Sequence, residues 1–280
     1  MSDRRSVETG TDDLLAYVED RVAVVTMNRP ARRNALSNEM LVALEAVLGE
    51  LDLALDVGCV VLTGAGGAFC AGGDVKGMAE AGSGSHGDGP RPTLDDAIHR
   101  QRLSQRGTAG KLYSFSKPTI ASLSGAAAGA GLSLALSCDL RIASENAILV
   151  TAFANVGFAG DYGGTYFMTK LIGAAKAREL YLLSEKIDAA EAERLGLVNR
   201  VVARDALEKE TQVLAYRLAH GPSIAYRYMK ENLNRALEGG ELGDCLDLEA
   251  THHVHTALTH DHRNAVKAFV EKKKPVFEGR

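Results

Sequence analysis

Twice along this chain a short β-rich run empties directly into a turn built mostly of glycine, alanine and serine. Cys59-Val60-Val61-Leu62-Thr63 leads into Gly64-Ala65-Gly66-Gly67-Ala68-Phe69-Cys70-Ala71-Gly72-Gly73, and Pro118 to Leu123 leads into Ser124 to Gly131. Glycine lets the backbone approach a ligand closely. Small residues where a strand meets a helix also leave the helix N-terminal N–H groups free to face negative charge. Each turn alone reads equally as a simple reversal or as close helix–sheet packing. Two of them in one chain point to a pair of backbone donors for an oxyanion, although spacing does not bring them together in space. Phosphate-loop readings fail, because Phe69 stands where a GxGxxG begun at Gly64 needs its last glycine, and no GK[ST] follows.

The segments around these turns repeat one grammar. Leu14 to Met27 alternates about Glu19-Asp20-Arg21, as two strands joined by a tight polar turn do. Met40, Leu41, Leu44, Val47, Leu48 and Leu51 recur at helical spacing behind Ser37, a suitable N-cap. After the second glycine turn come the apolar run Leu132 to Leu136 and a strand pair, Asp139 to Ala143 and Ala147 to Ala152. Strand and helix units without long linkers predict one α/β core over residues 14–203. Residues 204–280 read almost wholly as amphipathic helices, a carboxyl-terminal helical subdomain, and residues 1–13 as a polar, flexible amino terminus. Glu80 to Pro92 is poor in apolar residues and rich in Gly, Ser and Pro, which fits either a disordered surface loop or a lid.

Composition narrows the partner. With 280 residues and 46% hydrophobic content the chain can bury a large core, and its formal charge of -4 is interspersed rather than blocked. Neither nucleic acid nor a membrane surface is indicated, so a small soluble ligand is expected. No apolar run reaches spanning length and Met1 to Asp13 lacks a signal-peptide core, which predicts a cytoplasmic protein. Cys59, Cys70, Cys138 and Cys245 lack CxxC spacing and are expected as reduced thiols. His252, His253, His255, His260 and His262 crowd one helical stretch, but without an HExxH arrangement they read as a surface helix, and no metal is expected.

Phe69-Cys70-Ala71-Gly72-Gly73-Asp74-Val75-Lys76 resembles the AFxAGxDxK signature of the enoyl-CoA hydratase/isomerase (crotonase) superfamily. Other elements follow in that family's order: Asn28-Arg29-Pro30 with Asn34-Ala35-Leu36, Lys117-Pro118, Cys138-Asp139, Gly163-Gly164-Thr165, Ala190 to Val198, and Phe269 to Phe277. The resemblance covers roughly Leu15 to Arg280 and implies a spiral of repeated ββα units with the helical subdomain serving trimerisation, in trimers or hexamers. It implies an acyl-CoA thioester substrate with no separate cofactor, coenzyme A being part of the substrate, and a place in fatty acid metabolism. It also implies an oxyanion hole from the Gly73 and Ala130 backbone N–H groups, adenine contacts from the Ala71 and Gly73 carbonyls, and Lys76, Phe269 and Lys272 near the coenzyme A moiety. Arg32 and Arg33 are further basic residues that could meet a phosphate, although nothing in their spacing establishes it.

The family's hydratases use two glutamates to position water and move protons. By an ungapped count from the glycine turn, those places hold Ser133 and Phe153 here. Serine is a poor base unaided and phenylalanine has no proton to exchange. Asp161, in Gly160-Asp161-Tyr162-Gly163-Gly164-Thr165, resembles the position of the working acid in the family's isomerases and dehalogenase. It becomes the candidate acid/base for shifting a 3-enoyl thioester to the 2-enoyl isomer, with Tyr162 as a packing residue or an assistant. Two influences on its carboxyl oppose each other: Phe153, Phe158 and Phe167 would desolvate it and raise its pKa, whereas a helix starting at Gly163 would favour the charge. The alternatives are hydration of a 2-enoyl thioester, non-catalytic acyl-CoA binding, and, for Asp161 itself, a plain helix cap.

Overall fold

The computed structural model describes residues 4–74, 77 and 93–280. Lys76 and the stretch from Glu80 to Pro92 lie outside them. Strands β2 (Leu14–Glu19) and β3 (Val22–Met27) form the expected antiparallel pair, pivoting on Asp20 and Arg21, both at positive φ. Helix α1 (Asn38–Leu53) follows, capped as its sequence predicts: the Ser37 hydroxyl accepts from the Met40 N–H, and Met40, Leu44, Val47, Leu48 and Leu51 are buried. Strand β4 (Cys59–Gly64) then pairs parallel to β3. This ββα step is the repeating unit.

After the first glycine turn the chain re-enters as helix α2 (Leu94–Gln105), a π-turn over Arg106–Gly110 and a short α3 (Lys111–Ser114). Strand β5 (Thr119–Leu123) continues the parallel sheet beside β4. Beyond the second turn come the two-residue strand β6 (Ala127–Ala128), helix α4 (Ala130–Ser137), β7 (Leu140–Ser144) and β8 (Ile148–Val150). Helix α5 (Gly164–Leu183), β9 (Ile187–Asp188), α6 (Ala189–Leu195) and β10 (Arg200–Val202) close the core. Four helices complete the chain: α7 (Leu207–Ala219), α8 (Ser223–Leu237), α9 (Leu242–Ala257) and α10 (His260–Val270).

The strands form two sheets. One has the order β1-β2-β3-β4-β5-β7-β10, antiparallel through β3 and parallel thereafter, and the other has the order β6-β8-β9. Two expectations are corrected here. Residues 139–152 do not make a strand pair, because β7 joins the large sheet between β5 and β10 while β8 pairs with β6 and β9 in the small one. The stretch expected to be a flexible amino terminus contributes strand β1 (Arg5–Val7), which pairs antiparallel to β2 and buries Val7. A three-residue strand of two polar residues and one valine is too short for periodicity to reveal.

The main core lies between α1, α4, α5 and one face of the large sheet, while α7 covers the other face through Leu207, Ala215 and Ala219. A buried ion pair fastens α8 to the sheet. The Lys230 ammonium donates to Asp139 Oδ2 at 2.6 Å and to the Lys117 carbonyl at 3.0 Å, while Asp139 also accepts from the Thr119 N–H at 2.7 Å. Lys117, likewise buried, donates to the carbonyls of Leu51 and Ala54 at the end of α1, and burial lowers its pKa to about 8. The lysine of Lys117-Pro118 and the aspartate of Cys138-Asp139 are thus fastenings of the scaffold.

Candidate active site

The two glycine turns meet. The N–H groups of Phe69 and Cys70 both donate to the Ala126 carbonyl at 3.0 Å, and Ala128 N–H donates back to the Cys70 carbonyl at 2.9 Å. Packing this close requires glycine. A methyl on Gly72, which is at φ +87°, would lie 2.7 Å from the Ala128 carbonyl oxygen and 3.4 Å from the Ala130 nitrogen. The same figures put the Gly72-Gly73 segment beside Ala130.

Among the described residues neither candidate donor has a backbone acceptor. Gly73 bridges to Leu36 through the neighbouring carbonyl, since Leu36 N–H donates to Gly72 O at 2.8 Å. Ala130 is the first residue of α4, a position whose N–H has no intrahelical acceptor. The helix N-terminus adds its partial positive charge at the same point.

The first turn is shaped from outside by Asn34. Fully buried at φ +58°, it accepts from Arg29 N–H through its side-chain oxygen and donates to the carbonyls of Ala65 (2.8 Å) and Ala68 (2.9 Å). Arg29 in turn pairs with Asp74 at 3.0 Å, and the Gly77 N–H together with Arg29 holds the Asp74 carboxyl below the usual carboxylate range. Arg29, Asn34 and Asp74 are therefore braces of the turn. Arg32 also faces Asp74, at 4.0 Å. The Cys70 thiol, donating to the Asn34 carbonyl at 3.0 Å, is pushed up to about 12 by burial, so it is a packed thiol and no nucleophile.

Asp161 sits in a reversal of unusual backbone, with Gly160, Tyr162 and Gly163 all at positive φ. Tyr162 is the strained member, and two residues of α2 hold it: its N–H donates to Gln105 Oε1 at 2.6 Å, and its hydroxyl lies 3.2 Å from the Ser104 hydroxyl. The sequence offered no sign of this brace, which lies 57 residues away. Asp161 does not cap α5. That N-cap is Gly163, with no side-chain hydrogen bond, and Asp161 Oδ1 is buried with no hydrogen-bond partner among the described residues. Desolvation wins the contest over its charge and raises its pKa to about 6. Phe153 and Phe167 are buried as expected, but Phe158 is 57% exposed and contributes no wall.

Tyr181 also belongs here, a residue that sequence reasoning missed. Gly173, at φ +78° and ψ 161°, breaks α5 so that Tyr181 returns to the start of its own helix, and a methyl on Gly164 would lie 2.3 Å from Ser133 Oγ and 2.4 Å from the Tyr181 hydroxyl. Phe153 stacks on Tyr181 with ring centroids 5.8 Å apart, and its edge lies 3.7 Å from where a Gly129 methyl would stand. Ser133, Phe153, Tyr181 and the Asp161 loop thus cluster beside the Gly129-Ala130 turn.

Profile comparison matches the enoyl-CoA hydratase/isomerase family over residues 18–280, nearly the whole chain. The chain belongs to the enoyl-CoA hydratase/isomerase family. Among its relatives, a 1,2-epoxyphenylacetyl-CoA isomerase of Escherichia coli is 34% identical over 95% of this chain and 98% of its own length. A short-chain-enoyl-CoA hydratase of Clostridium acetobutylicum is 33% identical over 94% of this chain and 96% of its own. The crystal structure of an enoyl-CoA hydratase from Bacillus anthracis superposes with a TM-score of 0.86 at 30% identity, covering 96% of this chain and 100% of that one. The fold is therefore the crotonase fold. Most relatives at this level carry a hydratase name, and an isomerase stands among them, so kinship assigns the family without choosing the reaction.

The family residues at the carboxyl end, Phe269 and Lys272, are exposed on this chain. Phe269 is 84% exposed, and α10 packs on α9 rather than on the core. The histidine stretch differs from expectation in one respect: His252 is buried rather than on the surface, stacked on Tyr228 at 4.2 Å and 2.6 Å from Asn232 Oδ1. It is a packing residue between α8 and α9.

Proposed function

We propose that this enzyme shifts the double bond of an unsaturated acyl-CoA thioester from the 3-enoyl to the 2-enoyl position, with Asp161 as its acid/base. The observation that carries the reading is the Asp161 carboxylate, whose Oδ1 is buried with no hydrogen-bond partner among the described residues and whose pKa is raised to about 6. A carboxylate with that pKa is ionised at neutral pH yet basic enough to accept a proton. The Gly73 and Ala130 N–H groups would hold the thioester oxygen. As Asp161 takes a proton from C2, the electron pair moves onto that oxygen, and each N–H donor is worth ~2.7–4 kcal/mol to the resulting enolate. Returning the proton at C4 regenerates the thioester carbonyl and the carboxylate, so one carboxylate serves both halves. Ser133 supports the reading as well, because its hydroxyl is directed to the Gly129 carbonyl, 3.2 Å away, and Phe153 offers no acid or base.

The substrate would bring its own coenzyme A, with the Ala71 and Gly73 carbonyls toward the adenine and Lys76, Phe269 and Lys272 along the carrier. Since Phe269 is exposed on its own chain, its part in binding would come through a neighbouring copy in a trimer or hexamer. Hydration is the second reading, favoured by the names of most relatives. Side-by-side assays on 3-enoyl-CoA and 2-enoyl-CoA decide between them. Double-bond shift should dominate, and Asp161→Asn should lower it ~10²–10⁴-fold. Hydration faster than isomerisation, or an unchanged Asp161→Asn rate, would overturn the assignment.

A further inference from the structure

The wall beside Asp161 contains a second ionisable group with a different task. The Tyr181 side chain is partly buried, stacked on Phe153 at 5.8 Å with the rings only 13° apart. Its hydroxyl and Ser133 Oγ both crowd Gly164, where a methyl would lie 2.4 Å from the one and 2.3 Å from the other, and Ser133 Oγ itself donates to the Gly129 carbonyl at 3.2 Å. Its ring also lies along the Asp161 loop, since a methyl on Gly160 would stand 3.2 Å from Tyr181 Cε1. Burial first, and the Asp161 charge second, raise the Tyr181 pKa well above the ordinary phenol value, so Tyr181 stays neutral and cannot act as a base at physiological pH. The Ser133 hydroxyl is thus engaged by the Gly129 carbonyl, and the Tyr181 hydroxyl stays protonated. A neutral aromatic pair, Phe153 and Tyr181, thus packs beside the Asp161 loop.

We propose that Tyr181, clamped between Phe153 and Ser133, is the specificity-determining residue that keeps water from the Asp161 carboxylate, so that the proton taken from C2 is the one delivered to C4. Excluding water from a reacting centre prevents a carried proton from leaking to solvent. In the step itself the C2–H bond breaks, its proton moves to Asp161 Oδ1 and the electron pair to the thioester oxygen. The C2=C3 bond then forms as the C3=C4 bond is lost and C4 accepts that same proton. The inference rests on Asp161 serving as the acid/base.

Isomerisation of 3-enoyl-CoA by the intact protein in D2O tests both ideas and separates them. Wild type should place mostly protium at C4 of the product. Tyr181→Ala should raise the deuterium at C4 about tenfold, because an opened site leaks its proton, whereas Tyr181→Phe, which keeps the ring and the stack, should stay close to wild type. Should Tyr181→Ala fail to fold, Phe153→Ala opens the same wall from the other side of the stack and should also raise deuterium. Full deuteration by the wild type, or equal deuteration in wild type and the opened variants, would sink the role of Tyr181 while leaving the isomerase reading standing. No double-bond shift by the wild type would remove the reading on which it rests.

Discussion

Asp161 has one carboxylate oxygen, Oδ1, buried without a hydrogen-bond partner among the described residues, and its titration should be visible in both rate and stability. As the base in the free enzyme it must be ionised, so kcat/KM for double-bond shift should fall about tenfold per pH unit below a midpoint near 6 and stay level above it. The stability effect runs the other way. A carboxyl whose folded pKa lies above its unfolded value binds more protons when folded, so stability is lost as pH rises from the unfolded value of 3.8 through about 6. Asp161→Asn should therefore stabilise the fold at pH 7.5 by on the order of 1–2 kcal/mol, a range reduced for partial solvent screening, and the gain should vanish near pH 4. Thermal melts of the two proteins at both pH values check the sign. An equal difference at the two pH values would mean that Asp161 is not held in a desolvating site.

At the scale of elements, the attachment of α8 to the sheet depends on one ion pair. The Lys230 side chain is 10% exposed and that of Asp139 29% exposed, so the two partners are unequal. Removing the carboxylate by Asp139→Ala leaves a buried ammonium with only the Lys117 carbonyl as acceptor and should cost about 2–4 kcal/mol in urea denaturation, toward the low end for a half-solvated pair. Lys230→Met should cost less, because Asp139 keeps the Thr119 donors and some water. The reverse ranking would show that the ammonium, not the carboxylate, organises the contact. The same scale explains what periodicity could and could not reveal. The β2–β3 hairpin and the Ser37 cap were legible because hydrophobic alternation and a hydroxyl N-cap are local signals. Strands β6, β9 and β10, of two or three residues, were not, since their existence depends on partners distant in sequence.

For the molecule as a whole, the carboxyl-terminal helices leave large apolar side chains uncovered. Leu233 on α8, Leu242 on α9, Leu258 just beyond α9, and Phe269 and Val270 on α10 are all exposed. Single exposed apolar residues are ordinary, but several on consecutive helices are what an association surface would need. The expected outcome is a trimer or hexamer in sedimentation, with Leu258→Asp and Phe269→Asp shifting it toward monomer. If Phe269 serves coenzyme A binding in a neighbouring copy, the monomeric variants should also show a raised KM for the acyl-CoA. A wild-type monomer with full activity would dismiss both expectations.

Taken alone, the sequence determined the family, the α/β grammar, the two glycine turns and Asp161 as the carboxylate to examine. Those are matters of local spacing and residue chemistry, which survive without a partner. Whether the turns meet was decided only by the tertiary structure, where the absence of a Cβ at Gly72 lets one turn lie against the other beside Ala130. The same holds for Asp161: whether Phe153, Phe158 and Phe167 or the helix terminus governs its charge depends on burial, and only Phe153 and Phe167 turned out to be buried. Tyr181 was beyond sequence reading altogether. A kink at Gly173 returns it to the start of its own helix, and a contact between Gly164 and Tyr181 within one nominally continuous helix leaves no periodic trace.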